Sequence, residues 1–478
     1  RCRWVTLFVA NYVFYFISGG RIFIYLLATT VTTYLATVKI GDMAAKNKIA
    51  FNEAKAELDK EGKKAWKAAF AKKKKRILIP TLLFNFGILA VLKYSGFVTE
   101  NLNLLFAKIG IGTELPVFRF LLPLGISFYT FQSMGYLIDV YREKQEPERN
   151  FCKLALFISF FPQIVQGPIS RFGTLAEQLF RANEFSYTRI KFGVQLMLWG
   201  AFKKMVIADR AAVLVDNAFG FPETFGGTYV AAAALAYAIQ IYGDFSGGID
   251  IATGAAQIFG VTLDKNFERP YLATSIPDYW RRWHMTLGRF FTRYVYIPLG
   301  GSRKGLGRTI LNLFVVWALT GLWHGASWNF VLWGLYFFIF IALERLFLNK
   351  VFARLPGFVS HIYLLIVVYF GWILFRFKNM ALIGVVLKGM FCQNGNPWTT
   401  FEANTTLLNY IFFLAIAVIA VTPVVHNIGR AISVASGRSA AWFRVNSVVQ
   451  VAMPLVLLLI STMSLVGNSY NPFLYFQF

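Results

Sequence analysis

The sequence predicts an all-α polytopic integral membrane protein with about ten transmembrane helices plus re-entrant or interfacial ones. Of its 478 residues, 57% are hydrophobic and only 15% charged, against roughly 25% charged in an ordinary soluble domain. Mean hydropathy is +0.53, and a soluble globule this apolar would leave its excess apolar surface in water. Runs close to the ~20 apolar residues a bilayer requires recur near 4–19, 22–39, 77–97, 121–140, 230–260, 309–324, 326–347, 358–377, 406–426 and 446–466. Stretches 153–168 and 190–208 are interrupted by Pro, Gly, Gln or Lys and read as re-entrant or interfacial helices.

Taken in order, the loops set the orientation. Segment 44–76 is rich in Ala, Lys and Glu, favours helix, and ends in five consecutive basic residues. It is expected to lie on the cytoplasmic face against anionic headgroups, with Asp59 and Lys63 spaced as an i,i+4 pair. Alternation brings 141–153, 300–308 and 428–444, all basic, to that face and leaves 98–120 and 378–405 outside. The net charge of +25 therefore reads as membrane topology rather than nucleic-acid binding. Cys2, Cys152 and Cys392 are far apart and form no CxxC, so neither a metal site nor a disulfide framework is expected. Residues 1–478 read as one membrane domain: the basic helix 44–76, a core over 77–380 and C-terminal helices over 381–478.

Polar groups inside apolar runs are expensive and call for a reason. His324, in LTGLWHGASWNFVLWG, sits between Gly321 and Gly325, glycines that would let the backbone bend and a substrate approach. It suits a general base, since a neutral imidazole accepts a hydroxyl proton near pH 7; a histidine hydrogen-bonded at the interface is the alternative. Residues 276–305 read as an amphipathic helix at the membrane interface, with Trp280, Trp283, Leu287, Phe290 and Tyr294 on one face as an aromatic anchor. Arg282, Thr286, Arg289 and Arg293 form the opposite stripe, suited to the phosphates of a nucleotide-bearing cofactor or to lipid headgroups. His284 beside them is a second active-site histidine or an interfacial one. Gln240, Asp244, Ser246 and Asp250 lie within 238–254; Asp244 would orient a histidine, meet an arginine, or simply join helices. The prolines, glycine, Gln163 and Gln166 of SFFPQIVQGPISR indicate a broken helix beside a cavity. Arg376 needs a carboxylate or carbonyl partner, while His361 and His426 read as structural.

Together, FFPQIVQGPISR, IYGDFSGGIDIATG, YWRRWHMTLGRFFTRYVYIPLGGSRKG, LTGLWHGASWNFVLWG and GWILFRF resemble the membrane-bound O-acyltransferases, in particular the branch serving bacterial polysaccharide O-acetylation such as that of alginate. The resemblance covers about residues 77–380 and the terminal NPFLYFQF. It implies helices around a central tunnel or funnel in the bacterial cytoplasmic (inner) membrane, an essential histidine at His324, and His284 as the second polar position. It also implies that acetyl-CoA, with no tightly bound cofactor or metal, donates an acyl group from the cytoplasm to an extracytoplasmic hydroxyl, through a partner protein or directly on a polysaccharide. A large anionic thioester suits entry past Arg282, Arg289, Arg293, Arg303 and Lys304. His324 follows Arg308 by sixteen residues, about 24 Å of helix, past the middle of a bilayer about 30 Å thick. Trp323 and Asn329 stand near enough to be considered for the oxyanion. The related branch that transfers D-alanine to teichoic acid shares the WHG histidine; RYVYIPLGGSRKG favours the acetylating branch. From the residues alone, a transporter or flippase for lipid-linked sugars, or a membrane scaffold for a secreted transferase, stays open.

Overall fold

Helices account for the regular structure of the computed structural model, which describes residues 3–181, 184–221, 223–466 and 472–474. Cys2 and most of the terminal NPFLYFQF lie outside them. The chain forms two compact units, residues 1–186 with 259–264, and residues 187–258 with 265–478. Among the described residues seven helical stretches are long and apolar enough to cross a membrane: Trp4–Ala54, Lys60–Lys108, Gly305–His324, Trp328–Phe352, Gly357–Arg376, Phe401–Val421 and Ala440–Val466. The sequence suggested about ten. Its first two runs merge, 121–140 yields a helix only from Ile126, and 230–260 carries too many polar residues to qualify.

The first unit contains α1 (Arg3–Gly19), α2 (Phe23–Ala54), α3 (Lys60–Lys108), α4 (Ile126–Tyr141), α5 (Phe151–Ser159), α6 (Phe161–Ile164) and α7 (Phe172–Phe180). The basic segment 44–76 is no separate helix: it ends α2 and begins α3, with a break at 55–59. Asp59 is the N-cap of α3, its carboxylate accepting from Gly62 N at 2.7 Å, so it satisfies an orphan helix donor instead of serving the expected pair with Lys63. The broken helix in FFPQIVQGP is present. Pro162 lies in the first turn of the four-residue α6, and Gln163 Nε2 donates to Gln132 Oε1 at 2.6 Å.

The second unit is built on α8 (Tyr187–Phe202), a π-helical segment Lys203–Ala208, α9 (Asp209–Gly220) and α10 (Gly227–Ile258). A Cβ on Gly200 would fall 2.5 Å from Gly247 O, and one on Gly254 would fall 2.4 Å from Gly193 O. Glycines two turns apart thus bring α8 and α10 into backbone contact, the small-residue packing available to helices in lipid. Beyond Gly200, the π segment directs Lys203 to Asp250 at 2.7 Å, and Lys204 to Asp244 at 2.7 Å and Asp209 at 2.8 Å. The remaining helices are α11 (Ile276–Arg282), α12 (Met285–Phe291), α13 (Gly305–His324), α14 (Trp328–Leu343), α15 (Asn349–Phe352), α16 (Gly357–Arg376), α17 (Met380–Met390), α18 (Phe401–Val421), α19 (Val424–Ser436) and α20 (Ala440–Val466).

Replacing Gly200 by Leu is expected to lower the melting temperature of the purified protein, because an overpacked contact costs about 1–3 kcal/mol. Gly429→Ala, where a Cβ meets nothing within 4 Å, should leave it unchanged or raise it. Tryptophan fluorescence during thermal unfolding checks both.

Candidate active site

The α13–α14 hairpin positions His324. It is the last residue of α13, after which Gly325 turns extended and α14 returns from Trp328. Gly321 and Gly325 do not open space for a substrate as expected. A Cβ on Gly321 would lie 2.4 Å from the carbonyl oxygen of Phe330, and one on Gly325 2.3 Å from its ring, so both glycines let α14 close on α13. The half-buried imidazole meets Trp323, Trp333 and Phe375, with ring centroids at 5.0, 4.9 and 5.3 Å. Three aromatic walls fix its plane. Asn329 Nδ2 donates to Phe375 O at 2.8 Å, tying the start of α14 to the end of α16. Its buried Oδ1 has no hydrogen-bond partner; an acceptor suits a hydroxyl donor better than the oxyanion considered for it.

His284 arises from a break that the amphipathic pattern conceals. The expected continuous helix through 276–305 stops at Arg282 and restarts at Met285, with His284 at φ 46° between them. Asn266 holds this break open. Its carbonyl oxygen accepts from Met285 N at 3.0 Å, and its Oδ1 accepts from Thr286 N at 3.0 Å and Thr286 Oγ1 at 2.9 Å. His284 Nδ1 stands 3.3 Å from the same Oδ1. Since a backbone N–H can only donate, that atom is an oxygen; Nδ1 therefore carries the proton, and Nε2 is left as a bare, buried acceptor. Burial pushes the imidazole pKa down to about 3, keeping the ring neutral. Trp323 joins the two histidines: its ring lies 5.6 Å from His284 and 5.0 Å from His324.

The remaining candidates divide. Trp280 and Trp283 face protein rather than the membrane interface, Trp280 against Trp317 at 5.1 Å and Trp283 against Trp372 at 4.9 Å. Among the arginines, Arg282 is paired with Asp278 at 2.8 Å, Arg289 donates to Lys265 O at 3.0 Å, and Arg293 lies over Tyr294. Because the helix breaks at His284, they do not share one continuous stripe. Arg303 and Lys304 are exposed in the turn before α13. Among the described residues Asp244 meets neither histidine nor arginine; its carboxylate binds Lys204 and accepts from Leu474 N at 3.0 Å. Arg376 has the carboxylate partner it needed, Asp216 at 3.0 Å. His361 Nδ1 lies 2.8 Å from Ala273 O. Gln166 belongs to the first unit, where its buried amide has no hydrogen-bond partner among the described residues.

Sequence reading missed Asn266, Trp333 and Phe375 as neighbours of the histidines, and Lys203 and Lys204 as partners of the buried aspartates. Asn266 carried no local signal, being eighteen residues from His284. The lysines did: two adjacent cations in an apolar run demand anions.

Residues 143–387 match the membrane-bound O-acyltransferase family model. The chain is 33% identical to the probable alginate O-acetylase AlgI of Pseudomonas putida over all of its own length and 95% of that protein. It is 35% identical to the peptidoglycan O-acetyltransferase of Helicobacter pylori over 66% of its own length and 65% of that protein. With the teichoic acid D-alanyltransferase of Bacillus subtilis it shares 26% identity over 53% of its own length and 67% of that protein. These matches agree with the multi-pass architecture, and the chain is an acyltransferase belonging to the membrane-bound O-acyltransferase family.

Proposed function

We propose that the protein moves an acetyl group from cytoplasmic acetyl-CoA to an extracytoplasmic hydroxyl of a bacterial exopolysaccharide, in the inner membrane and by way of an accepting partner protein. The observation that carries this reading is His324, an ionisable ring held between Trp323, Trp333 and Phe375 at the end of an apolar helix. Acetyl is favoured over D-alanyl by the extent of similarity, which covers the whole chain for the alginate O-acetylase and 53% of it for the D-alanyltransferase.

In this mechanism His324 takes the proton of the acceptor hydroxyl as its oxygen attacks the thioester carbonyl. The tetrahedral intermediate collapses, the carbon–sulfur bond breaks, and the thiolate leaves to be protonated by the imidazolium. Holding donor and acceptor together supplies much of the acceleration by proximity. His284, neutral and with Nε2 bare, is suited to accept a hydrogen bond from a substrate hydroxyl or amide, and Asn266 acts through it as a positioning residue. Arg303 and Lys304, exposed before α13, would attract the anionic donor.

His324→Ala is expected to lower acetyl transfer from acetyl-CoA by about 10²–10⁴-fold in nanodiscs supplied with an acceptor, while thermal stability stays near wild type; unchanged turnover would remove His324 from the chemistry. The pH–rate profile gives a second test. With its pKa near 3, His284 contributes no step between pH 5 and 8. Asn266→Asp places a carboxylate beside Nδ1, favours the imidazolium and raises that pKa. A new loss of activity on the acid side should then appear in kcat/KM, and an unaltered profile would show that His284 is remote from the reaction.

A further inference from the structure

The last two residues of α16 stand between His324 and a group of buried polar atoms. Phe375 presents its ring to His324 at 5.3 Å, and its carbonyl oxygen accepts from Asn329 Nδ2 at 2.8 Å. A carbonyl can only accept, so the amide nitrogen of Asn329 is spent there and Oδ1 is the end left over. Arg376 follows, its guanidinium 6.0 Å from the centroid of the Tyr237 ring and 3.0 Å from the Asp216 carboxylate. Asn329 is 0% exposed, Tyr237 1% and Gln240 5%. Among the described residues Asn329 Oδ1, the Tyr237 hydroxyl and Gln240 Oε1 have no hydrogen-bond partner. Tyr237 and Gln240 are three residues apart on α10 and so share a face. Buried polar atoms left this way cost free energy until a partner reaches them. The Arg376 and Asp216 side chains, by contrast, are 36% and 61% exposed. An ion pair in that position is weakly held, so the guanidinium can part from Asp216 and uncover the phenol.

We propose that these atoms form the subsite for the acceptor, and that the acceptor hydroxyl is carried on an extended polypeptide segment. The inference rests on the reading of His324 as base for an extracytoplasmic hydroxyl, and says what presents that hydroxyl. A peptide backbone offers N–H groups that only donate and carbonyls that only accept. The subsite is the complement: Asn329 Oδ1 and Gln240 Oε1 each take an N–H, and the Tyr237 hydroxyl donates to a carbonyl. The reacting side-chain O–H is then left free for His324, beside the Phe375 ring. Sugar hydroxyls both donate and accept, so a glycan has no need of this division. An extended backbone is also slim, since strands pack about 5 Å apart. It can follow a gap opened by one arginine side chain where a pyranose polymer does not fit.

The test is acetyl transfer from radiolabelled acetyl-CoA by the full-length protein in nanodiscs. The probes are blocked tripeptides with a central serine, threonine or tyrosine, set against methyl glucoside and methyl mannoside. The wild type should acetylate at least one peptide with a KM about tenfold below that for either glycoside, the discrimination expected of one or two hydrogen bonds. Tyr237→Phe removes only the hydroxyl. It should raise the peptide KM about five- to tenfold while the KM for acetyl-CoA and the melting temperature stay as they are. Asn329→Leu should raise the peptide KM likewise; where it fails to fold, having lost its bond to Phe375 O, Tyr237→Phe keeps the test decisive. Consumption of acetyl-CoA that disappears in His324→Ala reports separately on the reading beneath the proposal, and its absence from the wild type would sink that reading. With such consumption present, a glycoside KM equal to or below that of the peptides, transfer to neither class of probe, or a peptide KM unmoved by Tyr237→Phe would overturn the subsite.

Discussion

Two buried ammonium groups impose much of the arrangement of the second unit. Lys203 and Lys204 have side chains only 7% and 6% exposed, and no water-rich surface is at hand to solvate them. Asp209, Asp244 and Asp250 neutralise them, and to bring those carboxylates within 2.8 Å α10 must run directly against α8 and α9. The glycine contacts at Gly200 and Gly247 make that approach sterically open. Removing one member would strand its partner in a low-dielectric interior at a cost of about 3–5 kcal/mol. Even the chain end is drawn in, since Lys204 Nζ donates to Pro472 O at 3.3 Å and Asp244 accepts from Leu474 N.

The two histidines show how one short region of a membrane protein produces unlike imidazoles. His324 is half-buried and meets its aromatic neighbours in edge-on contacts, with Trp333 and Phe375 brought in by α14 and α16. His284 is enclosed, and its tautomer is set by Asn266. Trp323 touches both rings, so a change in the packing of either is felt by the other. The aromatic cluster behind them, including Trp280, Trp283, Trp317 and Trp372, is sequestered within the protein. Tryptophans next to arginines in the sequence suggested a membrane interface; they pack instead against Trp317 and Trp372.

Much of the helical pattern was legible because apolar runs of the right length have few alternatives in a bilayer. The broken helix at Pro162 and the need of Arg376 for a carboxylate or carbonyl partner were equally legible, each an expensive or conformationally restricted group in an apolar context. The break at His284 was not. It depends on hydrogen bonds that Asn266 accepts, a long-range choice that overrides the periodicity of 276–305. Nor was the use of Gly321 and Gly325 legible: glycine permits bending, substrate access or helix contact equally, and only the position of Phe330 selects the last.

The π-helical segment Lys203–Ala208 has a consequence of register. An α-helix turns about 100° per residue, and a π bulge accommodates one residue beyond the regular ladder. Residues on either side of the segment therefore face α10 in two different phases. The glycines at 193 and 200 lie on one side of that shift and Asp209 on the other. The identity of the side chains in KKMVIA is thus only part of what the segment contributes. Their number is the rest: it sets the angular offset by which a glycine face and a charged face of the same rod address one neighbour.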